Sequence, residues 1–259
     1  MTKGNQPTDN GNFILSAAEK DELIAKEPTA AQFIHPYLGS EEFINGNPRY
    51  CLWLKDASPV ELKKCPSILQ RLQNIRDFRL KSTAKPTREK AETPQLFFFI
   101  SQPDSNFLAI PEVSSERRKY VPIGFMDKNT IVSNKLWIVP AAALYHFGIL
   151  TSAMHMAWMR QVTGRLKSDY QYSGSIVYNN FPWPEKITDA RRLEIERLAQ
   201  AVLDERAKHL EKGATLADLY DPVTMPPALA KAHAALDRAV DRAYRSAPFE
   251  TERARVEHL

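Results

Sequence analysis

The chain has 259 residues, 43% of them hydrophobic and 10% aromatic, and its 35 Lys and Arg against 31 Asp and Glu leave a net charge of +4. That is enough for one large or two modest folded domains, and the mild basic excess permits a polyanionic partner without demanding one. Two cysteines, Cys51 and Cys65, stand too far apart for a metal knuckle and are too few for a secreted framework; with no apolar run of membrane-spanning length and no signal pattern in the opening residues, a cytoplasmic protein with reduced thiols is expected.

In chain order, a weak helical pattern covers Ala17 to Lys26, after a short strand-like start. Tyr50 to Leu54 has the aromatic and aliphatic density of a buried strand. Pro59 to Arg79 places Leu62, Ile68, Leu69, Leu72, Ile75 and Phe78 at helical spacing. Gln95 to Ile100 (QLFFFI) predicts a strong strand, and Phe107 to Ile110, Tyr120 to Met126, Thr130 to Ser133 and Leu136 to Val139 add shorter ones. Pro140 to Arg160 suits a buried helix, or two helices meeting near Gly148, before a β pattern returns at Leu166 to Tyr178. Past Pro184 the composition turns helical. Thr188 offers an N-cap for a helix stopped near Gly213, and Pro226 or Pro227 opens a second, antiparallel to the first. The expected fold is α+β: a β-rich domain with packed helices over residues 1–184, then an α-helical segment over 185–259.

No glycine-rich strand-to-helix loop for a dinucleotide, S-adenosylmethionine or nucleoside triphosphate is present. Asn47-Pro48-Arg49-Tyr50 resembles the Asn-Pro-Pro-Tyr loop of adenine methyltransferases, but Arg49 replaces the second proline and a turn before a strand accounts for it. His146 and His155 lack a third ligand or a nucleophile nearby, and Ser152 and Ser173 lack nucleophile-elbow glycines. The expectation is therefore no catalytic residue, metal or cofactor within this chain.

Basic residues say more. Between Lys63 and Lys90 nine basic residues face two acids, a local charge of +7, and the polar stretch from Lys81 to Lys90 reads as a mobile loop. Such a segment either holds phosphates or is simply a solvated face. A second cluster runs from Ser114 to Lys119. Lys167, Asp169 and Gln171 alternate, so on a strand a donor, an acceptor and an amide share one face. That face can read base edges, with Lys and Asp gripping both partners of a C·G pair, or merely meet water.

Several phrases converge on one family. Arg49-Tyr50-Cys51-Leu52-Trp53-Leu54, Ser114-Ser115-Glu116-Arg117-Arg118 leading to Tyr120-Val-Pro-Ile-Gly-Phe125, Phe147-Gly-Ile-Leu-Thr-Ser152, and Gly164 through Pro184 resemble the C-terminal part of MmeI-like type IIL restriction-modification enzymes. Leu219-Tyr220-Asp221-Pro222 and Asp237 to Asp241 resemble the helical end of the same proteins. The resemblance implies a DNA target recognition domain with a helical tail, whose double-stranded DNA partner is presented to an upstream adenine-N6 methyltransferase, which uses S-adenosylmethionine, and to an endonuclease. By motif matching it implies Glu112, Asn134, Lys135, Lys167, Asp169 and Gln171 as base readers. Arg76, Arg79, Lys81, Lys85, Arg88, Arg117 and Arg118 are the expected phosphate contacts. A docking scaffold for the methyltransferase core, without base readout, is the alternative.

Overall fold

A computed structural model describes all residues, 1–259. The architecture is α+β, with short strands in three sheets and an α-helical C-terminal segment.

The first sheet runs Ile14–Leu15, Arg49–Leu52, Ile34–Leu38, Ile131–Val132, the last pair parallel. It covers a core of Phe13, Leu52, Ile68, Ile75, Phe97 and both cysteines, which are buried and form no disulfide. The helix expected over Pro59 to Arg79 is two, Pro59–Leu62 and Pro66–Leu80. Pro66 cannot donate to the preceding turn, so it opens a new helix, and Glu27 accepts the N–H of Ser67 at 2.9 Å. Helix Ala17–Lys26 starts at a capping box between Ser16 and Glu19.

The second sheet runs Thr2–Lys3, Leu136–Pro140, Phe107–Pro111, Gly124–Met126, all antiparallel. Phe107–Pro111 is buried along its whole length because it has neighbours on both edges and is covered on both faces. The QLFFFI strand does not form. Phe99 makes one isolated bridge to Gln6, while Phe97 turns inward against Phe13, with ring centroids 4.7 Å apart, and against Trp53 at 5.1 Å. Its only backbone partner is a short N-terminal segment, too brief to sustain a ladder.

Pro140 to Arg160 forms helices Leu144–Leu150 and Ala153–Val162, and the break falls at Thr151-Ser152. Gly148 lies inside the first helix, where its lack of a side chain admits the Asp189–Leu210 helix: a Cβ there would stand 2.8 Å from Ile195. Thr188 caps that long helix as expected, and Pro227 opens Pro227–Tyr244. Arg242, near the end of the latter, reaches Glu194, near the start of the former, at 2.8 Å, so the two run antiparallel. Two further short helices, Leu216–Tyr220 and Glu252–His258, escaped the sequence pattern. The helical segment shares one core with the second sheet and is bonded to the stretch that leads into its Gly124–Met126 strand: Arg206 donates to the Ile123 carbonyl at 2.6 Å, and Tyr120 donates to Asp237 at 2.7 Å. No helix is long and apolar enough to cross a membrane.

Candidate nucleic-acid interface

The third sheet is small, and its first strand is exposed throughout. Gly164–Leu166 and Asp169–Gln171 form a hairpin that pairs through the second strand with Val113–Ser114. Leu166 faces Asp169 across the hairpin, so Lys167-Ser168 is a two-residue turn, with Lys167 at φ +57. The strict alternation of Lys167, Asp169 and Gln171 is thus corrected: Asp169 and Gln171 share a strand face, and Lys167 sits exposed at the tip. Between them Tyr170 is buried, with the Arg165 guanidinium 4.1 Å from its ring centroid. The segment after the hairpin is not a strand, since Gly174–Tyr178 coils as a π-helix.

Asp169 is tethered. One of its oxygens accepts the Glu116 backbone N–H at 3.3 Å, while Glu116 pairs with Arg165 at 3.0 Å. Arg118 is half-buried beside this group; burial pushes its guanidinium pKa down, and Asp169 followed by Asp221 pulls it back up. Arg117 is exposed on the same turn.

Glu112, Asn134 and Lys135 come together beside the hairpin. The Glu112 N–H donates to the Lys135 carbonyl at 2.9 Å, and the Tyr172 N–H donates to the Glu112 carbonyl at 2.7 Å, which places Gln171 next to the group. The Glu112 side chain is only 10% exposed, and its carboxylate meets Lys3 at 2.6 Å and Lys135 at 3.6 Å. An almost buried carboxylate is costly unless paired, and these two cations offset that cost. Trp137 braces the junction by donating Nε1–H to the Tyr172 carbonyl at 2.9 Å. Gly174 leaves room for it, since a Cβ there would lie 2.7 Å from the indole. Lys3 is the member that the sequence did not suggest. It arrives through the pairing of Thr2–Lys3 with Trp137 and Ile138, and no local motif marks it.

The basic segment is more ordered than expected: Lys85–Glu89 is helical and continues as a 3-10 turn over Lys90–Glu92. Arg76, Lys81, Lys85 and Arg88 are exposed. Arg88 donates to the carbonyls of Ser82 at 2.9 Å and Thr83 at 2.7 Å, and Arg76 and Lys85 make only loose exposed pairs, with Glu92 at 4.0 Å and Glu89 at 3.8 Å. Arg79 requires correction. It is fully buried and gives its N–H groups to the carbonyls of Thr8, Lys90, Thr93, Pro7 and Leu96 at 2.9 to 3.2 Å. A guanidinium has five N–H donors and here all are spent, so Arg79 is architectural and has nothing left for a phosphate.

The two helix histidines pack. His155 is buried with Nε2 2.9 Å from the Tyr172 hydroxyl, and His146 accepts the Ala143 N–H at 3.0 Å. Asn47-Pro48 is loop ahead of the Arg49–Leu52 strand, and Arg49 pairs with Glu42 at 2.7 Å.

Comparison with known proteins gives a consistent result along the chain. Residues 1–185 match the family model of the MmeI target recognition domain, and residues 187–259 match that of the MmeI C-terminal domain. DNA methyltransferase A of Bacillus subtilis (strain 168) is 42% identical over 256 residues, 99% of this chain and 29% of that protein. The solved structure of the type IIL restriction-modification enzyme MmeI in complex with DNA superposes with a TM-score of 0.95 at 47% identity, over 98% of this chain and 34% of that one. The chain therefore spans about a third of the length of the relatives it matches.

Proposed function

The chain belongs to the family of MmeI target recognition and C-terminal domains, and from that premise we propose that it reads DNA sequence on behalf of a bifunctional restriction endonuclease and adenine-N6 DNA methyltransferase, without catalysing either reaction itself. Residues 1–184 form the recognition domain and 185–259 the helical segment that braces it. S-adenosylmethionine is bound in the methyltransferase core of the parent enzyme, and the assembly works in the cytoplasm, where the two buried cysteines stay reduced.

One observation carries this reading. Glu112 and Lys135, from separate stretches of sequence, form an ion pair, with Asn134 next to Lys135 in the chain and Gln171 brought near by backbone pairing, beside a hairpin that ends in Lys167. In the major groove Glu112 accepts from a cytosine amino group with the Asn134 amide beside it, Lys135 and Gln171 serve a neighbouring pair, and Lys167 with Asp169 grips a C·G pair. Arg76, Lys81, Lys85, Arg88, Arg117 and Arg118 hold phosphates and set the register. So seated, the chain presents its site for the upstream enzyme to flip and methylate an adenine.

The test exchanges the charge pair in the intact enzyme, Lys167→Glu with Asp169→Arg, and maps the methylated motif. One base of the site should change while methylation continues. A second reading, a docking scaffold for the methyltransferase core, draws on an apolar cavity of about 510 Å³ lined by Phe43, Phe125, Met126, Leu203, Leu210 and Leu216. It predicts that the exchange leaves sequence preference untouched.

A further inference from the structure

We propose that Lys3 is a positioning residue for base readout: it holds one oxygen of the Glu112 carboxylate so that the other is left to a base edge, and so that Lys135 is free to leave for DNA. The inference rests on Glu112 being a base reader, as assigned above.

Three features make Lys3 a fixed element. Its backbone is paired with Trp137, and its carbonyl accepts the Ser101 hydroxyl at 2.6 Å. The following residue, Gly4, lies so close to the neighbouring strand end that a Cβ would stand 2.2 Å from the Ser133 carbonyl oxygen, so this approach admits no side chain and no slippage. The Lys3 ammonium lies 5.4 Å from the Trp137 ring centroid, and that indole is itself pinned by Tyr172. From this seat Nζ reaches Glu112 Oε1 at 2.6 Å, a charge-assisted bond that anchors that oxygen.

Lys135 is built differently. Its side chain is 66% exposed, against 43% for Lys3, and Nζ stands 3.6 Å from the other oxygen, Oε2. Two cations thus flank one carboxylate, one close and held, the other more exposed and at longer range. When Lys135 swings to a guanine or a phosphate, Lys3 still neutralises Glu112, so the carboxylate is not left buried and unpaired. Without Lys3, Glu112 recruits Lys135 instead, which removes the lysine from the groove and turns the acceptor oxygen away from it.

The experiment uses the intact enzyme that carries this chain, as wild type, Lys3→Met, Lys3→Arg and Glu112→Gln, and scores methylation on a pool of DNA sites varied one position at a time. Glu112→Gln should relax one position. Lys3→Met should relax that same position by about tenfold, the scale of one lost base contact, with the other positions unchanged, and Lys3→Arg should restore the discrimination. A uniform loss with Lys3→Met, or unchanged preference beside a relaxed Glu112→Gln, would overturn the role of Lys3 alone. If Glu112→Gln relaxes no position, the base-reading assignment of Glu112 falls and takes this inference with it.

Discussion

The backbone N–H of Tyr172 donates to the carbonyl oxygen of Glu112 at 2.7 Å, and this bond joins the hairpin bearing Asp169 and Gln171 to the strand end bearing Glu112. The Tyr172 carbonyl in turn accepts from Trp137, which ties in the segment holding Asn134 and Lys135. The polar surface is therefore set by a backbone bond and an indole bond beneath it, and its outward side chains can vary without removing either.

Gly174 is a tight point of that frame, with a Cβ position 2.7 Å from Trp137. Gly174→Ala should displace the indole and lower stability by about 1–3 kcal/mol, the usual cost of overpacking. Urea unfolding checks this; a neutral substitution would show that the indole has room to move.

Arg79 and its exposed basic neighbours should separate cleanly. Arg79→Met leaves five carbonyls without their donor and should cost about 3–5 kcal/mol in unfolding free energy. Arg79→Lys should recover little, since an ammonium has three N–H groups and no planar fork.

Salt dependence is the signature of the exposed set. If Arg76, Lys81, Lys85 and Arg88 hold phosphates, each change to Gln should reduce the slope of log affinity against log salt by up to about 0.9. Titrations of the enzyme on nonspecific duplex, at several salt concentrations, measure this directly. Slopes that do not move would assign the segment to solvent.

Acid should weaken the fold through its buried histidines. Burial pushes both His155 and His233 down to about 3, with Arg206 and Lys119 adding to the effect at His233. Unfolded histidines bind protons below about 6.5, whereas the folded ones do so only near 3, so the stability they confer is complete above 6.5 and is lost as pH falls through that window. Each contributes a slope of about 1.4 kcal/mol per pH unit in mid-window. Asp237 acts in the opposite sense, because burial raises its carboxyl and the folded chain holds that proton more tightly. Unfolding free energies from pH 7 to pH 4.5 should show a reduced slope in His155→Gln; an unchanged slope would mean the imidazole is protonated in the folded chain.

Local signals were legible in the sequence and nonlocal ones were not. The capping threonine at 188, the proline opening Pro227–Tyr244 and the helix Ala17–Lys26 follow from residues a few positions apart. QLFFFI reads as a strand because its composition cannot reveal that its partner segment is too short. Gly148 reads either as part of one helix or as the meeting point of two, although its smallness serves the approach of Ile195 from a distant helix. In the candidate site, the outward face of Asp169 and Gln171 follows from the period of a strand, but Lys167-Ser168 lacks the Asn-Gly or Asp-Gly signature of a tight turn, so the alternation runs through it unseen. Arg79 and Lys3 exchange expected importance for the same reason: burial and ion pairing are set by segments far away in the chain.

The most direct measurement joins residues 1–259 to the nuclease and methyltransferase part of a relative and maps the methylated motif. The methylated motif should become a new one that follows this chain; retention of the host's original motif would place sequence recognition outside residues 1–259.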